Sequence, residues 1–203
     1  MPYLGVMRLA DGYTDLVPGK MANVVTCLEM FARPEPRPDP PGVQCALERV
    51  IEPDLGWYRA LFRRVGAPYL WHSRLAMSDE ELERVIRDSR VEIYAVRQHG
   101  RDVGILELDF RCEAECELTF AGLVSDVVGT GIGRWLMNRA LDLAWSHPIE
   151  RFWVHTCTLD HPSAVRYYMA SGFVPFKRQI EIGDDPRVCG LLPRSAAPEV
   201  PII

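Results

Sequence analysis

The apolar positions change period along the chain. Between Asp54 and Val65 they fall on Tyr58, Leu61, Phe62 and Val65, the i, i+3, i+4, i+7 spacing of one helical face. Ser78-Asp79-Glu80-Glu81 opens a second helix, because a serine N-cap with glutamate three residues on closes a capping box, and Leu82, Val85 and Ile86 form its apolar side. From Val91 the pattern becomes that of strands: VEIYAV, then DVGILELDF beyond the turn His99-Gly100, then ECELTFAGLV. Three such runs joined by short turns predict an antiparallel meander. A helix over about 131–146 follows, apolar on Ile132, Leu136, Ala140 and Leu143. Next come a strand over 151–156, a helix over 162–171 closed by Gly172, and a last strand over 173–182.

Upstream, Asn23–Phe31 is rich in strand formers, whereas the first 20 residues carry no sustained period. Residues 34–42 hold five prolines in nine positions, which fixes an extended surface loop because proline locks φ and removes backbone donors. The proline-rich tail is expected to fray. The pattern predicts one α+β domain with a mixed sheet, an α-rich part early in the chain, and a short C-terminal tail.

Composition narrows the function classes. The 203 residues are 48% apolar and 25% charged, enough apolar surface to offset the ordering entropy of a folded chain. No run approaches the roughly 18 to 20 apolar residues of a membrane span, and MPYLGVMRLADGYTD lacks the pattern of an export leader. The net charge of −5 argues against nonspecific binding to nucleic acid, which relies on excess Lys and Arg. Lys20 and Lys177 are the only lysines, an arginine bias read as codon usage. None of the six cysteines forms a CxxC pair or a Cys/His cluster, so no metal is expected. Cys112 and Cys116, four apart around a hairpin, would pair only in an oxidising compartment. Reduced thiols and a cytoplasmic location are the expectation.

The most informative segment is Gly129-Thr130-Gly131-Ile132-Gly133-Arg134, where a strand runs into glycines and a helix starts at once. Glycines let backbone amides approach an anion without a Cβ in the way, and the helix N-terminus presents free N–H groups. A phosphate-bearing ligand is therefore the leading inference, although the same glycines would serve a tight turn that holds nothing. A Walker loop is excluded, since no lysine follows. The dinucleotide fingerprint is excluded too, because the spacing is GxGxG and the segment follows a meander.

At this point the sequence resembles the GNAT superfamily of N-acetyltransferases, whose acetyl-CoA loop reads Arg/Gln-x-x-Gly-x-Gly/Ala at a strand-to-helix junction. Gly131-Ile132-Gly133 matches its glycine end, and AVRYYMASGF over 164–173 matches a second signature, Ala-xxx-Tyr-xxx-Gly-Phe. The resemblance spans about 91–182 and fades before residue 70. It implies one GNAT-like α+β domain over 1–190, with a mixed, mostly antiparallel sheet flanked by helices in three layers, α/β/α. That domain comprises a variable acceptor-side part over 1–90 and an acetyl-CoA-binding core over 91–182, followed by a C-terminal tail over 191–203. It departs at Val128, where the family carries Arg or Gln. Losing one charge-assisted hydrogen bond costs about 1.5 to 3 kcal/mol, which weakens cofactor affinity by roughly one to two decades.

The resemblance implies acetyl transfer from acetyl-CoA to a primary amine by direct attack, with no metal. It makes Tyr168 the acid that protonates the departing sulfur and Glu117 the base, with Glu107, Glu115, His155 and His161 as substitutes. It gives the cofactor the backbone of Leu123 and Val124, where pantetheine adds to a splayed strand edge. The loop Gly129, Thr130, Gly131, Ile132, Gly133 and Arg134, together with His161, completes the cofactor site. Asp160 and His161 have an alternative role as caps of the helix at 162. The acceptor, a small molecule or peptide amine, would meet Trp57, Tyr58, Tyr69, Trp71 and Arg74, unless these only pack the core. Relatives are often dimers, so a homodimer is admissible; nucleic acid and membrane are not expected partners. Transfer of a longer acyl group, transfer to a hydroxyl, and a non-catalytic acyl-CoA-binding or regulatory module stay open.

Overall fold

The computed structural model describes residues 11–203. The first ten residues, and with them part of the leader reading, lie outside. The elements run β1 (Lys20–Met30), β2 (Ala46–Arg49), α1 (Leu55–Gly66), α2 (Asp79–Ile86), β3 (Val91–Gln98), β4 (Arg101–Asp109), β5 (Glu115–Leu123), α3 (Ile132–Ala144), β6 (Arg151–Cys157), α4 (Ala164–Ala170) and β7 (Val174–Asp184). Local signals place most of these boundaries. Asp54 caps α1 by accepting from the Trp57 amide, and Ser78 and Glu81 close the expected capping box on α2. The β3–β4 turn puts both His99 and Gly100 at positive φ, the geometry that matches strand twist in a two-residue hairpin.

The seven strands form one sheet in the order β2-β3-β4-β5-β6-β1-β7. All neighbours are antiparallel except β5 and β6. Helices α1 and α3 both contact β4 and β5. Glu107 reaches Tyr58 of α1 from one face, while its strand neighbours Leu106 and Leu108 turn to the other and are fully buried. The expected three layers result, with Tyr58, Phe62, Phe152 and Leu28 among the largest wholly buried side chains.

The first strand of the described residues is inserted into the sheet between β6 and β7, one place in from the edge. It buries residues from both faces, Val25 and Cys27 from one and Leu28 and Met30 from the other. The short strand β2, paired with β3, has no counterpart in the sequence pattern.

One expectation is corrected, that of the tail. The proline segment is the exposed loop expected, and it is held down as a strap. Asn138 donates to Arg37 O and Asp39 Oδ1 at 3.0 and 2.8 Å, and Arg37 donates to Ala170 O at 2.8 Å, so the segment is tied to both α3 and α4. The tail does not fray, because Arg187 gathers it. Its guanidinium donates to the carbonyls of Ala196, Ala197 and Val200 at 3.1, 3.1 and 2.8 Å and pairs with Asp185 at 2.7 Å, all beside the buried Leu192. The six cysteines are free thiols; Cys116 is buried and Cys112 exposed, so the hairpin does not bring them together as a pair.

Asp185 and Arg187 are each only 3% exposed, so replacing one strands the other. We expect Arg187→Met to cost about 3 to 5 kcal/mol, read as a lower urea midpoint, and to make the tail the first site cut in limited proteolysis.

Candidate active site

The ladder between β5 and β6 stops early. It joins Glu115–Leu118 to Arg151–Val154 and goes no further. Beyond that point β5 stays with β4 through Leu123, and β6 stays with β1 through Cys157. The two strands part, and the gap is the mouth of a cavity of about 610 Å3. Its walls come from β1, the segment after α1, β5, the glycine turn, β6 and α4.

One end of the cavity is the glycine turn. Gly129 and Gly131 take φ of +83° and +91°, which glycine adopts at no steric cost. A Cβ at Gly129 or at Gly133 would meet nothing within 4 Å, so both open onto free space, and both line the cavity. Gly131 serves differently: a Cβ there would lie 3.0 Å from Pro40 Cβ, so it exists to pack under the strap. The first-turn amides of α3 have no intrahelical acceptor and stand beside this opening. Val128 lines it with an exposed apolar side chain, so the position carries no donor.

The other predicted cofactor positions separate. Leu123 and His161 line the cavity. Val124 is buried in the core and its amide donates to Val103 O at 2.9 Å, so its main-chain N–H is already taken. Ile132 is 1% exposed and belongs to the core, Thr130 Oγ1 turns back to Val127 O at 2.7 Å, and Arg134 is exposed.

Of the aromatic and basic residues before β3, Tyr69, Trp71 and Arg74 line the cavity, whereas Tyr58 is wholly buried and Trp57 donates to Asp102 Oδ2 at 2.8 Å away from it. Trp71 depends on two glycines. A Cβ at Gly66 would lie 2.5 Å from Trp71 Cβ, and one at Gly122 would lie 2.9 Å from Trp71 Cη2. The indole fills the room they leave and packs on Phe120, 5.2 Å between ring centres. Arg74 donates to Glu107 at 2.5 Å, and Tyr58 donates to the other oxygen of the same carboxylate at 2.5 Å. Glu107 is therefore a wholly buried anchor for the segment carrying Trp71 and Arg74, and not a substitute base.

Asp160 does not cap α4, contrary to expectation. It accepts from Trp71 Nε1 at 2.9 Å, Thr156 Oγ1 at 2.7 Å and the Cys157 amide at 2.9 Å, so one carboxylate joins the two banks of the cavity. His161 accepts the Ser163 amide at Nδ1, 3.2 Å, and thus holds the start of α4.

Tyr168 lines the cavity at 8% exposure, and burial pushes its hydroxyl well above the usual phenol range, so it keeps its proton. Its neighbour Tyr167 donates to Gly133 O at 2.7 Å and ties α4 to the glycine turn. Glu117 stands behind the wall, its Oε1 3.2 Å from His155 Nδ1, and it is His155 that lines the cavity. Glu115 is engaged with Arg151 at 3.2 Å.

The sequence reading missed Met21, Asn23 and Val25 of β1 and Glu181 of β7, all of which line the cavity. Asn23 donates to Glu181 Oε2 at 3.1 Å. Their only signal was alternation in two strands whose pairing joins distant parts of the chain.

The sequence pattern of the acetyltransferase (GNAT) family matches residues 57–173, more than half of the chain. The chain belongs to the GNAT acetyltransferase family. Comparison with curated proteins gives no match. Among solved structures, the fold is similar to the GCN5-related N-acetyltransferase from Sphaerobacter thermophilus at 12% identity and TM-score 0.61, over 82% of this chain and 53% of that one. It is similar to a GNAT-family acetyltransferase from Novosphingobium aromaticivorans at 18% identity and TM-score 0.55, over 84% and 71%. It is also similar to an aminoglycoside acetyltransferase from an uncultured soil metagenomic sample at 17% identity and TM-score 0.52, over 63% and 86%. The chain thus spans about half the length of the Sphaerobacter protein. Membership in the GNAT family is consistent with acyl transfer. Among the described residues no three His, Cys, Asp or Glu side chains are placed to share a metal ion, and no helix is long and apolar enough to cross a membrane.

In this GNAT protein the aromatic bank rests on the space at Gly122, where a Cβ would also fall 2.5 Å from Val65 Cγ1. Gly122→Ala is expected to destabilise by about 1 to 3 kcal/mol through overpacking and to displace Trp71, read by urea unfolding and by a changed tryptophan emission in the folded state.

Proposed function

We propose that the protein transfers an acetyl group from acetyl-CoA to a primary amine by direct attack. The observation that carries this reading is the parted β5–β6 junction, with open glycines at a helix N-terminus on one side and a proton-holding tyrosine on α4 on the other. Gly129, Gly133 and the first-turn amides of α3 fit a pyrophosphate by the absence of side chains and the presence of unengaged N–H groups. The edge of β5 that faces β6 beyond Leu118 has no ladder partner and fits an amide-bearing arm added as a strand. When bound, acetyl-CoA supplies the activated thioester. Tyr168 holds the proton that a leaving thiolate needs.

The acceptor end carries the carboxylates of Glu181 and Asp160, while the positive charge of Arg74 is matched by Glu107. A cationic amine is the acceptor this balance favours, flanked by Trp71 and Tyr69. A cytoplasmic location is the setting we propose for free thiols and a CoA substrate. Val128 supports one second reading, a module that binds acyl-CoA without transferring it, because the loop then relies on amides alone.

Calorimetric titration with acetyl-CoA, CoA and NADH, followed by thiol release with a panel of aminoglycosides, polyamines and lysine peptides, tests the reading. Micromolar acetyl-CoA binding with amine-dependent thiol release is the expected result. Binding without release from any amine supports the non-catalytic module, and no binding to either thioester or CoA ends both.

Two substitutions divide the roles. Tyr168→Phe should lower kcat at least about tenfold with acetyl-CoA affinity retained. Gly133→Ala should leave stability unchanged or higher by up to about 1 kcal/mol, since its Cβ meets nothing in the protein. It should also weaken CoA binding about tenfold or more by occupying the space left for phosphate.

A further inference from the structure

His155 is the first residue of β6 beyond the end of the β5 ladder, whose last pair is Leu118 with Val154. It therefore sits at the apex of the split, on the cavity wall, with its side chain 47% exposed. Behind it, Glu117 Oε1 lies 3.2 Å from His155 Nδ1, and the glutamate side chain is 22% exposed. Glu117 sits opposite Trp153 in the ladder, so the carboxylate and the imidazole lie on the same sheet face one step apart. A carboxylate can only accept here, so the Nδ1 hydrogen is donated to it and the lone pair of the neutral ring is left on Nε2.

We infer that His155, held in this tautomer by Glu117, takes the proton of the acceptor ammonium. The inference rests on the acetyl-transfer reading and reverses the assignment drawn from the resemblance: Glu117 becomes a positioning residue and His155 the base. The step balances as follows. The ammonium gives one proton to His155 Nε2, which later passes it to water. The freed amine forms the C–N bond as the C–S bond breaks, Tyr168 gives its hydroxyl proton to the sulfur, and the second amine proton restores Tyr168. The products are the amide and CoA thiol.

The surroundings fix the sign of the pH dependence. Facing the imidazole are Glu117 on β5, Cys27 on β1, Glu181 and Lys177 on β7 and Asp160 after β6. The Glu117 hydrogen bond is the largest influence and raises the His155 pKa above its ordinary value, against the opposing effect of burial, with Asp160 and Glu181 adding to the rise. The base form therefore fills as pH rises through that raised pKa, and kcat should show an acidic limb there.

Two measurements test this. In the ligand-free protein, the His155 ring proton is titrated by NMR, assigned by its loss in His155→Gln; the midpoint should move to lower pH in Glu117→Gln. With whichever panel amine releases thiol, His155→Gln should lower kcat about 100-fold. Glu117→Gln should lower kcat about tenfold and carry the acidic limb to lower pH, which a merely structural role would not do. Acetyl-CoA affinity, measured in each variant, should stay within about threefold and so exclude misfolding. The inference is overturned if the NMR midpoint does not move, or if His155→Gln keeps more than a third of the wild-type kcat. If wild-type protein releases thiol with no amine, the acetyl-transfer reading falls and the base with it, even where the NMR coupling holds.

Discussion

The constraint on which the rest depends is the end of the β5–β6 ladder after Leu118 and Val154. Two parallel strands that continued to pair would close the sheet and leave the core no opening. Here each strand satisfies its backbone on its outer side only, β5 against β4 and β6 against β1, and the inner edges face a cavity. A split of this kind needs its banks held by side chains and helices, since no backbone ladder between them does so. The anchors are visible: α3 packs against β5, Tyr167 ties α4 to the glycine turn, and Asp160 joins Trp71 on one bank to Thr156 and Cys157 on the other.

Because both unpaired edges are lined by main chain, the chemistry is left to the few side chains at the apex and rim. Glu107 shows how the aromatic rim is fixed. A wholly buried carboxylate is costly unless its lone pairs are filled, and Arg74 and Tyr58 fill them. This requirement sets the position of the 69–74 segment, so Trp71 and Tyr69 stand at the cavity by consequence of a core interaction. Gly66 and Gly122 then supply the room for the indole.

Most elements were legible because their signals are local. The capping box at Ser78, the His99-Gly100 turn, the glycine turn and the Gly172 stop each act within four residues, and each holds in the structure. What was not legible is long-range. Nothing within Lys20–Met30 says that it inserts between β6 and β7, since its partners begin more than 120 positions later, and so Asn23 and Glu181 could not be brought to the site by pattern. The tail failed for the same reason in the opposite sense. Its prolines argue for fraying, while the one residue that orders it, Arg187, lies upstream and acts through main-chain carbonyls that composition does not reveal. The candidate site divides along this line too. The glycines follow from spacing and Tyr168 from the family resemblance, whereas the relation of Glu117 to His155 depends on where a ladder stops.

The same stopping point relates the two ends of the candidate site. Moving it by one pair toward the C-terminal ends would place His155 within the β5–β6 ladder, beside a strand and away from the apex. It would also consume part of the inner edge that Thr119–Leu123 leave open. The extra residue that β5 carries at Thr119, where the register against β4 shifts between Glu107 and Leu108, lies immediately after the last β5–β6 pair. A bulge bends its strand and increases local twist, and a bend there carries β5 away from β6. One irregular residue in a strand thus gives a physical cause for the split. It also sets which side chain stands at the apex and how much backbone is left free beside the glycine turn.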